Sequence, residues 1–313
     1  MAKNLITAGI VRKAILLLLL AASLYTYFYP DTLARPLAAH KRKTLNGLFR
    51  EQLATRYFVF HSNVSREKVE DFGRTCDLFI DLFNRDFFEI KYKFPIHVYI
   101  LPDAGKFQDF LRNAMGAKTI PEGLMGAYLS GYRALVTHQN AGWGTFTHEI
   151  LHPLVDSSLP AVPSWAVEGI PAFAERFYGY EKDRQLRVQW GYPNPWRIQE
   201  LEGRLARLDL SEIVSGAQNV SEASLVSLFI YRQGKWKYFL DLVQRNEKHG
   251  YPTFLEAALE KPLAEIEPAW RKFLNDLEGR KPEIYRLPAS NIYRTESEYI
   301  EAINNADLLY LQN

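Results

Sequence analysis

Residues 144–152 read Gly-Thr-Phe-Thr-His-Glu-Ile-Leu-His, and the interpretation of the whole chain starts there. Gly144 and Thr145 give a helix start, and the helix that follows sets His148 and His152 one turn apart on the same side. Two imidazoles so placed can share one Zn²⁺, and the intervening Glu149 then faces the reacting water as a general base. In a chain of 313 residues with 7 histidines, chance produces this five-residue pattern on the order of 0.01 times. The bland alternative is a structural helix with two surface histidines and a solvated glutamate.

Downstream, Pro160, Pro163 and Ser164 lead into Trp165-Ala166-Val167-Glu168-Gly169, a loop followed by a helix start. A catalytic zinc takes three protein ligands and keeps one position open, and a second helix crossing the first supplies the missing carboxylate. Glu168 is the expected third ligand. Glu175 is the alternative, seven residues on and therefore on a similar helical face. The pattern that adds a glycine and a third histidine directly after the motif is absent, because Pro153, Leu154, Val155 and Asp156 stand there. Pro153 predicts that the helix ends, kinks or tightens just after His152, and Pro171 predicts a distorted first turn around Glu168.

Upstream, Tyr57 to His61 is an extended run, and Val69, Phe72, Cys76, Phe79, Ile80 and Phe83 recur with helical spacing. Ile96, Val98 and Ile100 alternate as a half-buried strand that stops at Pro102, with Asp103 placed to cap a helix carrying Phe107, Phe110 and Leu111. Gly126 to Thr137, around the Ser130-Gly131 turn signal, predicts a hairpin or one long edge strand. Later segments read as helices over Ile198–Leu208, Ala223–Arg232, Lys235–Glu247, Thr253–Leu259 and Leu263–Leu277. The result is an α+β chain, with a small N-terminal mixed sheet, a central metal helix and a mostly helical C-terminal part.

With 47% apolar and 24% charged residues the chain can build a core. A net charge of +2 gives no footprint for nucleic acid, and a single cysteine, Cys76, leaves no intrachain disulfide or cysteine-based metal cluster. Seventeen uncharged residues, Ala14 to Pro30, follow Lys3, Arg12 and Lys13 and predict a membrane segment. A helix of that length spans about 25 Å, the short end of what the hydrocarbon core requires. Tyr25, Tyr27, Phe28 and Tyr29 favour an uncleaved anchor at the headgroup level, whereas Ala21, Ala22 and Ser23 suit a cleaved signal peptide.

The order His148-Glu-Ile-Leu-His152, then Pro163-Ser-Trp-Ala-Val-Glu168-Gly169, then a helical C-terminal part resembles the peptidase MA-like gluzincin zinc metallopeptidases. The resemblance covers roughly residues 56–278 and extends to the closing helices, including Trp270-Arg271-Lys272-Phe273. It implies a zincin-like fold, zinc ligation by His148, His152 and Glu168, and Glu149 as the base. Asp156 or Glu175 is expected to hold the second nitrogen of a ligating imidazole. Tyr231, ahead of Tyr178 and Tyr180, is the candidate oxyanion donor. His138 is a lone histidine ten residues before the motif that either faces the site or packs.

The expected organisation is an N-terminal anchor or signal over 1–30, a basic linker over 31–55, the metallopeptidase domain over 56–278 and a loosely packed tail over 279–313. The expected function is that of a membrane-anchored zinc metallopeptidase. Its partners would be a peptide or protein substrate and the lipid bilayer, and its catalytic domain would lie outside the cytoplasm, secreted or periplasmic if the segment is cleaved. The rival is a membrane-tethered binding module that keeps the fold without turnover.

Overall fold

A computed structural model describes residues 30–88, 95–216, 219–289 and 291–305. The chain is α+β, with a small mixed sheet and, among the described residues, 13 helices. The sheet is built from β1 (Glu51–Ala54), β2 (Phe58–Ser62), β3 (Ile96–Leu101), β4 (Gly126–Leu129) and β5 (Ala134–His138), in the order β1-β2-β3-β5-β4. The inner strands β2, β3 and β5 are parallel, and the edge strands β1 and β4 are antiparallel to their neighbours.

The expected half-buried character of β3 is replaced by burial on both faces. Ile96, Val98 and Ile100 join the larger core, while Tyr99 and Leu101 join a second cluster with Leu45, Phe107, Phe110 and Leu111. Parallel strands need helical crossovers, and those helices cover both faces. Helix α2 (Arg66–Asp86) supplies Val69, Cys76, Phe79, Ile80 and Phe83 to the first face. Helices α1 (Pro30–Asn46) and α3 (Ala104–Asn113) cover the second, α3 opening on an Asp103 cap that accepts the Lys106 N–H at 2.8 Å.

Residues 31–55 are therefore not a linker. Ala38 and Leu45 of α1 are buried, and Arg42 donates to the carbonyl of Tyr132 at 2.6 Å, the 3₁₀ turn between β4 and β5. β1 escapes the sequence pattern because it is a short, charged edge strand whose side chains alternate between half-buried and exposed.

The membrane-anchored placement is also corrected. Among the described residues no helix is long and apolar enough to cross a membrane. The first described helix carries His40, Lys41, Arg42 and Lys43, and the apolar run 14–29 lies outside the described residues.

The metal-motif helix α4 (Gly142–Ser158) continues past Pro153, and α5 (Ser164–Phe173) packs against it and ends two residues after Pro171. A hairpin that the sequence reading missed follows, β6 (Tyr178–Lys182) and β7 (Gln185–Gln189), turning at Asp183 and Arg184 with φ of 53° and 61°. The predicted 198–208 helix shrinks to α6 (Pro195–Glu200), because the chain turns at Gly203 with φ of 77°. Helices α7 (Leu210–Ser215), α8 (Val220–Arg232), α9 (Trp236–Arg245), α10 (Phe254–Leu259), α11 (Leu263–Gly279) and α12 (Lys281–Ile284) complete the C-terminal bundle. α8 is its centre, buried continuously from Ser221 to Ile230.

α5 meets α8 at Gly169, where a Cβ would stand 2.7 Å from Ser227 Oγ and 2.9 Å from the Ala223 carbonyl oxygen. Only glycine allows that approach. The expected loose tail is instead stitched on: β8 (Asn291–Tyr293) pairs in parallel with β6, and Glu296 of α13 (Glu296–Asn305) accepts from Tyr180 and Lys182 at 2.8 and 2.7 Å.

Candidate metal centre

α4 is apolar on most of its surface, with Phe146, Ile150, Leu151, Leu154 and Val155 buried. That packing fixes its rotation and leaves His148, Glu149 and His152 on the side facing a cleft of about 840 Å³. His148 Nε2 and His152 Nε2 are 3.1 Å apart. From α5, Glu168 Oε2 stands 3.4 Å from the first and 3.7 Å from the second. Three ligand atoms so converged could hold a metal ion.

Glu175, the rival third ligand, is committed elsewhere. Its Oε1 lies 2.9 Å from Nδ1 of His148, on the nitrogen that the Glu168 cluster does not use. Arg197 Nη2 donates to Oε1 at 2.6 Å and Nε to Oε2 at 3.0 Å, and Asn194 Nδ2 donates to Oε2 at 2.6 Å. A carboxylate that fixes the distal nitrogen of a ligating imidazole sets both its tautomer and its ring orientation. Burial alone would raise the Glu175 pKa, but the His148 imidazole 2.9 Å away and the Arg197 guanidinium outweigh that and hold it down at about 2. Asp156, the other candidate for this role, is exposed at the cleft rim.

The two histidines are pushed apart in proton affinity. Burial disfavours the imidazolium of His148, yet Glu168 and Glu175 flank it and raise its pKa to about 10. His152, buried beside that charge, is driven down to about 4. Burial likewise raises Glu149, whose carboxylate takes a hydrogen bond from the Tyr128 backbone. A glutamate raised from its usual range is better matched to taking and returning a proton near neutrality.

β4 forms the opposite wall. Among the described residues its outer edge pairs with no other strand, and the Tyr128 ring stacks on the His152 imidazole at 6.1 Å and 10°. Gly126 permits the close passage of β4 over α4: a Cβ there would sit 3.0 Å from Glu149 Cγ and 3.1 Å from Thr145 Cγ2. Thr147, fully buried beside His148, places its hydroxyl 2.8 Å from the Ala174 carbonyl and so ties α4 to the segment that delivers Glu175.

Tyr231 is not brought to the cleft. Its ring packs on Phe173 at 5.0 Å and closes against Gly191. Val220, at the other end of α8, is the residue of that helix that lines the cleft. Eleven helical steps separate the two, roughly 16 Å along the axis. Tyr178 donates its hydroxyl to the Pro288 carbonyl and Tyr180 to Glu296, so both are engaged on the second sheet. His138 packs against Phe107 at 5.7 Å on the other face of the main sheet.

Sequence reading missed Arg197 and Asn194. The available signal was Asn194-Pro195, an N-cap followed by proline at the first helical position, which places α6 over the cleft. No protein-family model matches the chain, and a search of curated proteins found no match.

Proposed function

We propose that this chain is a zinc-dependent metallopeptidase of the gluzincin type, with a zincin-like fold, that hydrolyses peptide bonds. The observation that carries the reading is the triangle of His148, His152 and Glu168. Bonds of about 2.0 to 2.1 Å in a tetrahedral zinc site set ligand atoms about 3.3 Å apart. The three edges here measure 3.1, 3.4 and 3.7 Å. Two imidazoles, with His148 giving up its Nε2 proton on binding, and one carboxylate would suit a borderline-soft dication and leave a fourth position for water or substrate.

Zinc held there supplies Lewis acidity, polarising the scissile carbonyl and acidifying water. The chain's own residues do the rest. Glu149 takes a proton from the attacking water and passes it to the departing amine. Glu175 keeps the Nδ1 proton of His148 in place, so that Nε2 carries its lone pair toward the metal. The free edge of β4 supports an extended substrate backbone beside Glu149 by strand addition.

The test is metal content and hydrolysis measured together. Purified protein is expected to hold about one zinc per chain and to cut a mixed peptide library. His148→Ala and Glu168→Ala should each lose the metal, and Glu149→Gln should keep it while losing nearly all turnover. Full hydrolysis by metal-loaded Glu149→Gln, or no zinc uptake by the wild type at neutral pH, would overturn the reading.

A further inference from the structure

Large apolar side chains exposed on the surface are few among the described residues, and two of them, Trp196 at 52% and Val167 at 37% exposure, line the cleft beside the metal triangle. Val167 immediately precedes Glu168 on α5. Trp196 immediately precedes Arg197 on α6, and Val220 at the start of α8 lines the same cleft.

The indole is held in place. The Asn194 side chain accepts the Trp196 backbone N–H at 3.2 Å, Pro195 sets the first helical turn, and the Arg197 guanidinium lies over the ring at 4.8 Å from its centroid. Asn194 and Arg197 are the same two residues that hold Glu175, and through it His148. The aromatic surface and the metal triangle are therefore positioned by one connected set of hydrogen bonds. An exposed tryptophan that is preorganised in this way loses little conformational freedom when it is covered.

We infer that Trp196, with Val167 and Val220, forms a subsite that takes a bulky apolar side chain of the substrate, a leucine or an aromatic residue flanking the scissile bond. The inference rests on the peptidase reading and deepens it. Such a side chain covers the exposed indole and valines while the peptide backbone lies along β4, on the opposite wall. A large apolar side chain moved from water into a fitted apolar site gains about 1.5 to 3 kcal/mol. That corresponds to a preference of roughly 10- to 150-fold over glycine at the same position.

The experiment uses peptides of one length that differ only in having Phe, Leu or Gly at the position flanking the cleaved bond. Wild type should favour Phe and Leu over Gly by at least tenfold in kcat/KM, mainly through KM. Trp196→Ala should reduce the ratio to within about threefold, and Trp196→Phe should restore part of it. Calorimetric binding of the same peptides to zinc-loaded Glu149→Gln, with and without Trp196→Ala, reads the subsite without turnover and should show the same loss of preference. Cleavage with equal rates on all three peptides, or a preference that survives Trp196→Ala, overturns the subsite and leaves the peptidase reading intact. If no peptide is cut, the peptidase reading fails, and apolar preference in the binding arm then decides the subsite by itself.

Discussion

Arg197 grips Glu175 with two nitrogens, Nη2 to Oε1 at 2.6 Å and Nε to Oε2 at 3.0 Å, and the same carboxylate stands 2.9 Å from Nδ1 of His148. Both partners are nearly buried, with side-chain exposures of 11% and 7%. A buried pair of this kind is costly to break from one side, because the remaining charge has no water to return to.

Glu175→Gln is accordingly expected to weaken metal binding about 10- to 100-fold, read by competition with a chelator of known affinity. It should also destabilise the fold by on the order of 3 kcal/mol or more, since Arg197 stays buried without its counter-ion. Replacing both residues by methionine separates the two effects: stability should largely return and metal affinity should not. Recovery of both would mean that Glu175 does not orient His148.

Gly126→Val tests the passage of β4 over the metal helix. Even a Cβ stands 3.0 Å from Glu149 Cγ, so the larger side chain must displace the glutamate. The expected outcome is retention of one metal per chain with at least a tenfold fall in kcat/KM, measured on the best peptide substrate. A fully active variant would show that Glu149 need not keep this position.

Gly169→Ala addresses the α5–α8 contact one residue from Glu168. The added methyl meets Ser227 Oγ and the Ala223 carbonyl at under 3 Å, and the backbone carbonyl cannot rotate away. Overpacking of this kind costs about 1–3 kcal/mol. Urea unfolding of the metal-free protein should show that loss, and metal affinity should fall with it as α5 is pushed off α8. Unchanged stability and affinity would mean that the two helices tolerate wider spacing.

The pH dependence of stability should carry the signature of His61 and His97, whose ring nitrogens lie 3.0 Å apart within the field of Arg42. Burial first, and the charge of Arg42 second, lower their pKa values to about 4 and about 3. The unfolded chain, with histidines near the usual 6.5, binds more protons between those limits. Their contribution to stability is therefore complete above pH 6.5 and is lost as the pH falls toward 3 to 4. Urea midpoints should drop between pH 7.5 and pH 5, and His97→Gln should flatten that slope. An identical slope in the variant would remove the pair as its cause.

What was legible in the sequence was whatever a single helix, strand or tight turn fixes by itself. The i, i+4 spacing of His148 and His152 needs no partner element to bring two imidazoles together, and Asp103 caps its own helix. Glu168 required one crossing, and its side chain joins the cluster. Tyr231 failed because its position depends on which end of α8 meets the cleft, a matter settled by the packing of Phe173 and Trp236 rather than by anything local. Arg197 was invisible for a related reason: its partner Glu175 lies 22 residues earlier, and neither residue advertises the pairing. β1 and β8 escaped because short polar strands carry little hydrophobic alternation and owe their existence to a neighbour already in place.

The parallel seat of β8 on β6 bears on how the molecule is made. All three side chains of the candidate metal site have been synthesised by residue 168, and Glu175 and Arg197 follow soon after. Yet Arg176, next to Glu175, gives its guanidinium to the carbonyl of Pro288, and Tyr178 donates to the same oxygen. A growing chain, or a fragment cut short before that proline, thus carries every donor atom of the candidate site while lacking the belt that holds the segment behind Glu175. Synthesis order alone delays this tie behind Glu175 until Pro288 has been made.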